Sequence, residues 1–87
     1  MIELEQLRQL VAFDEYGTLS KAAEALHISQ PSLSRTMQTL EEELQASLFI
    51  RKKNRILLNE TGEMAVEQAR QVLSAVAELT ELSLIHI

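Results

Sequence analysis

The chain of 87 residues has no cysteine and no tryptophan, a single proline, two glycines, one tyrosine and two phenylalanines. Without cysteine there is no disulfide framework, no thiolate metal site and no cysteine nucleophile, and the absence suits a reducing cytosol. With 46% hydrophobic but only 3% aromatic residues, a core must be assembled from Leu, Ile, Val and Ala, which favours helices. No stretch approaches the ~20 apolar residues of a membrane span, and the opening MIELEQLRQL is acidic where a secretory signal would be basic. The sequence therefore reads as cytoplasmic, with no membrane partner. His27 and His86 form no constellation with each other, and there is no nucleophile-base spacing or glycine-rich phosphate loop. We expect no enzyme, no metal site and no cofactor. One domain of this size is marginal alone, so help from a second subunit is expected.

The formal net charge of −5 argues at first against a nucleic-acid partner, since phosphate binding needs Lys and Arg. Its distribution reverses that. Residues 17–59 carry Lys21, Arg35, Arg51, Lys52, Lys53 and Arg55 against Glu24, Glu41, Glu42 and Glu43, a local balance of +2, whereas residues 1–16 sum to −3 and residues 60–87 to −4. Screening confines each patch to about 10 Å at ordinary salt, so the change of sign along the chain matters more than the total.

Leu4, Leu7, Leu10 and Val11 recur at helical spacing, and Tyr16 and Gly17 end this first amphipathic helix. Thr18 offers an N-cap hydroxyl to a short second helix, LSKAAEAL, with Ala22, Ala23 and Leu26 on one side. After a turn in which Ile28 plugs the core, Ser29 caps a third helix whose first turn tolerates Pro31. Leu33, Met37, Leu40 and Leu44 should face inward, leaving Gln30, Ser32, Ser34, Arg35 and Gln38 outside. From Leu48 the pattern changes to LFIRKKNRILLN, two β-prone runs around a basic tip, which predicts a hairpin over about 48–58. A longer helix follows Thr61 and Gly62. Its residues Ala65, Ala69, Val72, Val76 and Leu79 step by alternating four and three, a heptad-like seam fit for a second copy of the chain. The fold class is thus all-α, mainly helical: a winged helix-turn-helix over residues 1–59, with the helix-turn-helix at about 18–37, and a linker or dimerisation helix over 60–87. The ending LSLIHI reads as a cloning scar or a truncation.

Two helices joined by a tight turn, the second polar and basic outside, fit the major groove of double-stranded DNA, which is ~12 Å wide and admits one helix. Small side chains at Ser32 and Ser34 let such a helix sit deep. Gln30 and Gln38 can address adenine, Arg35 can bridge to guanine or a phosphate, and Pro31 offers an apolar edge to a thymine methyl. Thr18, Ser20 and Lys21 stand at a helix start, where free N–H groups can clamp a phosphate. Arg55 is expected on the backbone and minor groove, with Arg51, Lys52 and Lys53 as electrostatic support. Taken singly, each of these is more simply a solvated helix face, a cap or a soluble hairpin tip; their co-occurrence favours DNA. The serious rival is a winged helix used for protein contact, with the acidic flanks as interface.

The run FDEYGTLSKAAEALHISQPSLSRTMQTLEEEL, followed by SLFIR, a basic turn and LLNETG, resembles the DNA-binding region of LysR-type transcriptional regulators, over nearly the whole chain to about residue 80. The resemblance implies a third helix in the major groove, a linker helix that pairs with a partner's, and normally a C-terminal ligand-sensing domain, which is expected to be absent here. It places Gln30, Pro31, Ser34 and Arg35 on base-reading or phosphate-contacting positions and Arg55 on the wing. The expected partners are an operator and a second copy of the chain, with a tetramer the further option for the full-length protein. Leu10 and Leu19 stand where the family often has aromatics. Gln45 replaces a common glycine, so the recognition helix is expected to end without the cheap left-handed cap that glycine gives. Asn59 and Thr61 replace the usual threonine and alanine, which weakens the expected cap of the linker helix.

Overall fold

The computed structural model describes residues 1–86, with side chains through Leu82. Four helices and one hairpin follow in the order α1 (Leu4–Tyr16), α2 (Leu19–Leu26), α3 (Gln30–Leu44), β1 (Phe49–Lys52), β2 (Arg55–Leu58) and α4 (Glu60–His86). The question of the LSLIHI ending falls, but for Leu82, outside the described side chains.

Each helix boundary has a local cause. Gly17 closes α1 at φ 84° with its N–H on the Phe13 carbonyl at 2.9 Å, a left-handed position that glycine occupies without a Cβ clash. Thr18 Oγ1 then accepts from Lys21 N at 3.1 Å and Ser29 Oγ from Ser32 N at 3.2 Å, so α2 and α3 both begin on hydroxyl caps. His27 ends α2 at φ 58°. Without the glycine, Gln45 takes the left-handed conformation itself, at φ 53°, and its backbone N–H donates to the Glu41 and Glu42 carbonyls. The strain of order 1–2 kcal/mol for a residue with a Cβ is offset by satisfying those terminal carbonyls.

The core joins all of these elements. Leu10, Leu33, Met37, Leu40 and Leu48 are its largest fully buried side chains, and Ala22 and Ala23 let α2 approach closely. Leu44, expected inside, is 40% exposed, because it edges an open apolar groove with Leu4, Leu7 and Val72. The hairpin pairs Phe49 with Leu58 and Lys52 with Arg55, leaving Lys53 and Asn54 as its turn. Its base is pinned by aromatic contact: Phe49 meets Phe13 edge to face, with centroids 5.5 Å apart.

Helix α4 starts one residue before Thr61, and Asn59 serves it as an effective cap. Asn59 Oδ1 accepts from Gly62 N at 2.7 Å, while its Nδ2 donates to the Ser47 carbonyl at 3.0 Å and its backbone N to Leu48 O at 2.9 Å. Asparagine ranks with the best N-caps, so the replacement of threonine strengthens this junction. Gly62, Val66 and Ala69 are buried and Leu73 packs against the same core. The inner stripe of α4 is therefore displaced by one residue from the seam read in the sequence. Ala69, at 2% exposure, serves the intramolecular core, whereas Ala65 and Val76 are half-buried and Val72 and Leu79 exposed. At 1.5 Å per residue α4 is about 40 Å long, and it draws the molecule out to 51 × 27 × 20 Å.

Candidate nucleic-acid interface

The first turns of α2 and α3 open onto one concave surface, and the hairpin forms its far wall. Thr18, Ser20 and Gln30 line it from the helices and Arg51, Lys52 and Arg55 from the hairpin, around a groove of about 510 Å³. Asn54, at the hairpin turn, lines it too; nothing in its sequence context sets it apart from the cations around it. Two helix N-termini facing one groove present unpaired N–H groups to whatever enters, and Lys52 and Arg55 stand opposite beside the ion-paired Arg51, an arrangement suited to an anionic strand.

The remaining sequence-selected residues lie on neighbouring faces. Pro31, Arg35 and Gln38 are exposed and spaced by four and three along α3, so they share its outward face, with Ser34 half-buried between that face and the groove. Ser32 and Arg35 border a second, shallower depression with Glu3, Glu5, Gln6 and Gln9, where Gln9 Oε1 is buried without a hydrogen-bond partner. Lys21 and Lys53 are exposed and line neither concavity. Among the described residues no ion pair engages Lys21, Arg35, Lys52, Lys53 or Arg55.

Arg51 differs. Its Nη2 lies 3.2 Å from Glu41 Oε1, and its guanidinium sits 5.9 Å above the Phe49 ring. Glu41 Oε2 accepts from Leu48 N at 2.8 Å. Glu41 thus ties the recognition helix to the root of the hairpin. In the sequence it was one of three consecutive glutamates, and only its partners distinguish it.

A second clamp lies behind the interface. Arg70 on α4 donates to Asp14 at 2.9 Å and Glu15 at 3.2 Å on α1. Hydrogen bonds to Asp14 and then Glu15 raise the pKa of Arg70 above its already high ordinary value, so its charge is constant over any working pH. It offsets two carboxylates that end α1 just before the helix-turn-helix.

Elsewhere, Ile2, Leu4, Leu44 and Val72, between 36% and 41% exposed, edge an apolar groove of about 440 Å³ that Ala65 and Ala69 also line. Of the seam residues, Ala65, Ala69 and Val72 reach this groove; Val76 and Leu79 continue the stripe beyond it. Among the described residues no group of three His, Cys, Asp or Glu side chains is placed to hold a metal ion, and no helix is long and apolar enough to cross a membrane.

Helix-turn-helix, hairpin wing and long terminal helix define a winged helix-turn-helix protein. The family model for bacterial regulatory helix-turn-helix proteins of the lysR family matches residues 4–63, and the chain belongs to that family. Among its relatives, the SDS degradation transcriptional activation protein of Pseudomonas sp. (strain ATCC 19151) is 40% identical over 89 residues, covering 94% of this chain and 29% of that protein. The DNA-binding transcriptional dual regulator OxyR of Escherichia coli (strain K12) is 37% identical over 82 residues, 94% of this chain and 27% of its own length. The chain spans under a third of the length of either relative. Among solved structures, the BenM DBD in complex with benA site 1 DNA matches with a TM-score of 0.92 at 35% identity, over 99% of this chain and 100% of that one. The CbnR DBD in a DNA complex matches with a TM-score of 0.92 at 34% identity, over 98% of each chain.

Proposed function

We propose that this chain is the operator-binding module of a LysR-family transcriptional regulator, working in the cytoplasm by binding and not by catalysis. The carrying observation is the groove that sets Thr18, Ser20 and Gln30 across from Lys52 and Arg55, beside the exposed outward face of α3. In this reading α3 enters the major groove. Gln30, Pro31, Ser34, Arg35 and Gln38 address bases and nearby phosphates, and Ser32 adds a hydroxyl at the helix edge. The starts of α2 and α3 hold phosphates through N–H groups, with Thr18, Ser20 and Lys21 alongside, and the wing reaches the backbone and minor groove through Lys52, Lys53 and Arg55. Two structural neighbours, the BenM DBD and the CbnR DBD, were solved as DNA complexes, which supports the same use of this fold.

Residues 60–87 act in this reading as the linker, and two copies pair through Ala65, Val72, Val76 and Leu79, with Ala69 beneath them. The apolar groove edged by Ile2, Leu4, Leu44 and Val72 supports such pairing, since a contiguous apolar stripe is normally covered by another surface. The full-length regulator would carry a ligand-sensing domain after α4 and can assemble further into a tetramer. Selection of bound sequences from random DNA tests the whole reading. A two-fold site with half-sites on one face of the duplex is the expected product, whereas failure to enrich any sequence, together with no salt-dependent DNA binding, would favour the protein-contact alternative.

A further inference from the structure

Among the described carboxylates Glu41 alone is not exposed. It is held from two sides, by Leu48 N at 2.8 Å and by Arg51 at 3.2 Å. Most surface ion pairs are loose because both side chains must be ordered to form them. Here the ordering has other causes. The Leu48 amide fixes the carboxylate, and the Phe49 ring beneath the guanidinium holds Arg51, while Phe49 is itself seated on Phe13. Arg51 nevertheless lines the same groove as Lys52 and Arg55. It is therefore a cation within reach of the candidate DNA surface whose charge is already compensated from behind.

We propose that Glu41 withholds the charge of Arg51 from DNA phosphates and so limits sequence-independent binding. The inference rests on the DNA-binding reading above. Non-specific affinity comes almost wholly from phosphate neutralisation and the counterions it releases, and the dependence on salt counts the charges involved. A guanidinium paired with a carboxylate adds little net charge and releases few counterions. Lys52 and Arg55, with no ion-pair partner among the described residues, contribute fully. Keeping Arg51 out of this sum leaves a larger share of the binding to the base contacts of α3, while the same pair still positions the hairpin against that helix.

The test compares the wild-type chain with Glu41→Gln, Arg51→Gln and the double variant, by fluorescence anisotropy across a salt series on a selected operator and on a random duplex. Gln keeps a carbonyl oxygen for Leu48 N–H but loses the charge. Glu41→Gln should steepen the slope of log affinity against log salt by about 0.9 per subunit on both duplexes and lower the ratio of operator to random affinity. Arg51→Gln alone should leave the slope at its wild-type value, and the double variant should return to it. If Arg51→Gln flattens the slope by about 0.9 per subunit, Arg51 already neutralises a phosphate and the proposal is wrong; an unchanged slope in a folded Glu41→Gln protein also overturns it. A flattened slope for Arg51→Gln overturns the proposal even if Glu41→Gln fails to fold. Absence of DNA binding by the wild type would instead overturn the underlying functional reading.

Discussion

Gly62 in α4 lies directly against the carbonyl of Leu48, so close that an added Cβ would overlap that oxygen and stand 3.0 Å from Leu58 Cδ2. The approach seats the first turn of the terminal helix on the root of the wing, and Asn59 braces the same corner through Ser47. The obstacle is backbone, which cannot swing aside as a flexible side chain could.

Gly62→Ala should therefore destabilise the fold even though alanine is the better helix former. Overpacking of this kind costs about 1–3 kcal/mol, a fall in midpoint of roughly 5 °C or more for a domain of this size. Thermal unfolding followed by circular dichroism measures it. An unchanged midpoint would show that α4 can lift away from the hairpin freely.

The outward face of α3 bears on specificity. Replacing Arg35 or Gln30 by Ala should cost about 1–3 kcal/mol on a selected operator and less on random DNA. Equal losses on both duplexes would reduce these side chains to phosphate binders.

Arg55 has no ion-pair partner among the described residues and stands at the start of β2 on the groove wall. Arg55→Ala should weaken specific and non-specific binding together and flatten the salt dependence by about 0.9 per subunit for each phosphate no longer neutralised. An unaltered slope in a titration would make the basic tip a solvated turn.

Val76→Asp tests pairing through α4. Val76 is only half-buried within one chain, so helical content should largely survive, while an unpaired carboxylate in a closed seam costs several kcal/mol. The variant should sediment as a monomer. Without the second subunit on the same duplex, avidity of on the order of a hundredfold or more disappears, leaving weak half-site binding. A monomeric wild type, or a variant with wild-type affinity for the full operator, would refute pairing through this stripe.

Order and kind of elements were legible because each rests on neighbours in sequence. Helical spacing of Leu7, Leu10 and Val11, hydroxyl caps at Thr18 and Ser29, and the polar break in LFIRKKNRILLN act within a few residues of themselves. The polar residues proposed for DNA are likewise marked by type and position, and of these the structure gathers Thr18, Ser20, Gln30, Arg51, Lys52 and Arg55 around one groove. What the chain could not disclose in one dimension were relations across it. Gln45 ends α3 in a left-handed conformation because terminal carbonyls need partners, a requirement that composition does not express. Which of Glu41, Glu42 and Glu43 matters depends on where β1 returns.

Sequence by itself determined that this chain is a helical domain with a basic wing and a polar third helix, since periodicity, caps and charge are local properties. Tertiary structure alone decided which stripe of α4 packs inward. Two overlapping stripes four and three residues apart, Gly62-Val66-Ala69-Leu73 and Ala65-Ala69-Val72-Val76, look alike on a helical wheel, and only packing against α1 and the hairpin assigns the first to this chain's own core, with Ala65 of the second partly buried against it, while Val72 stays exposed and Val76 only half-buried. It also decided that Arg51 is paired while Arg55, on the other strand of the hairpin, has no ion-pair partner among the described residues, because pairing is set by the element packed beside each side chain and not by its neighbours in the chain.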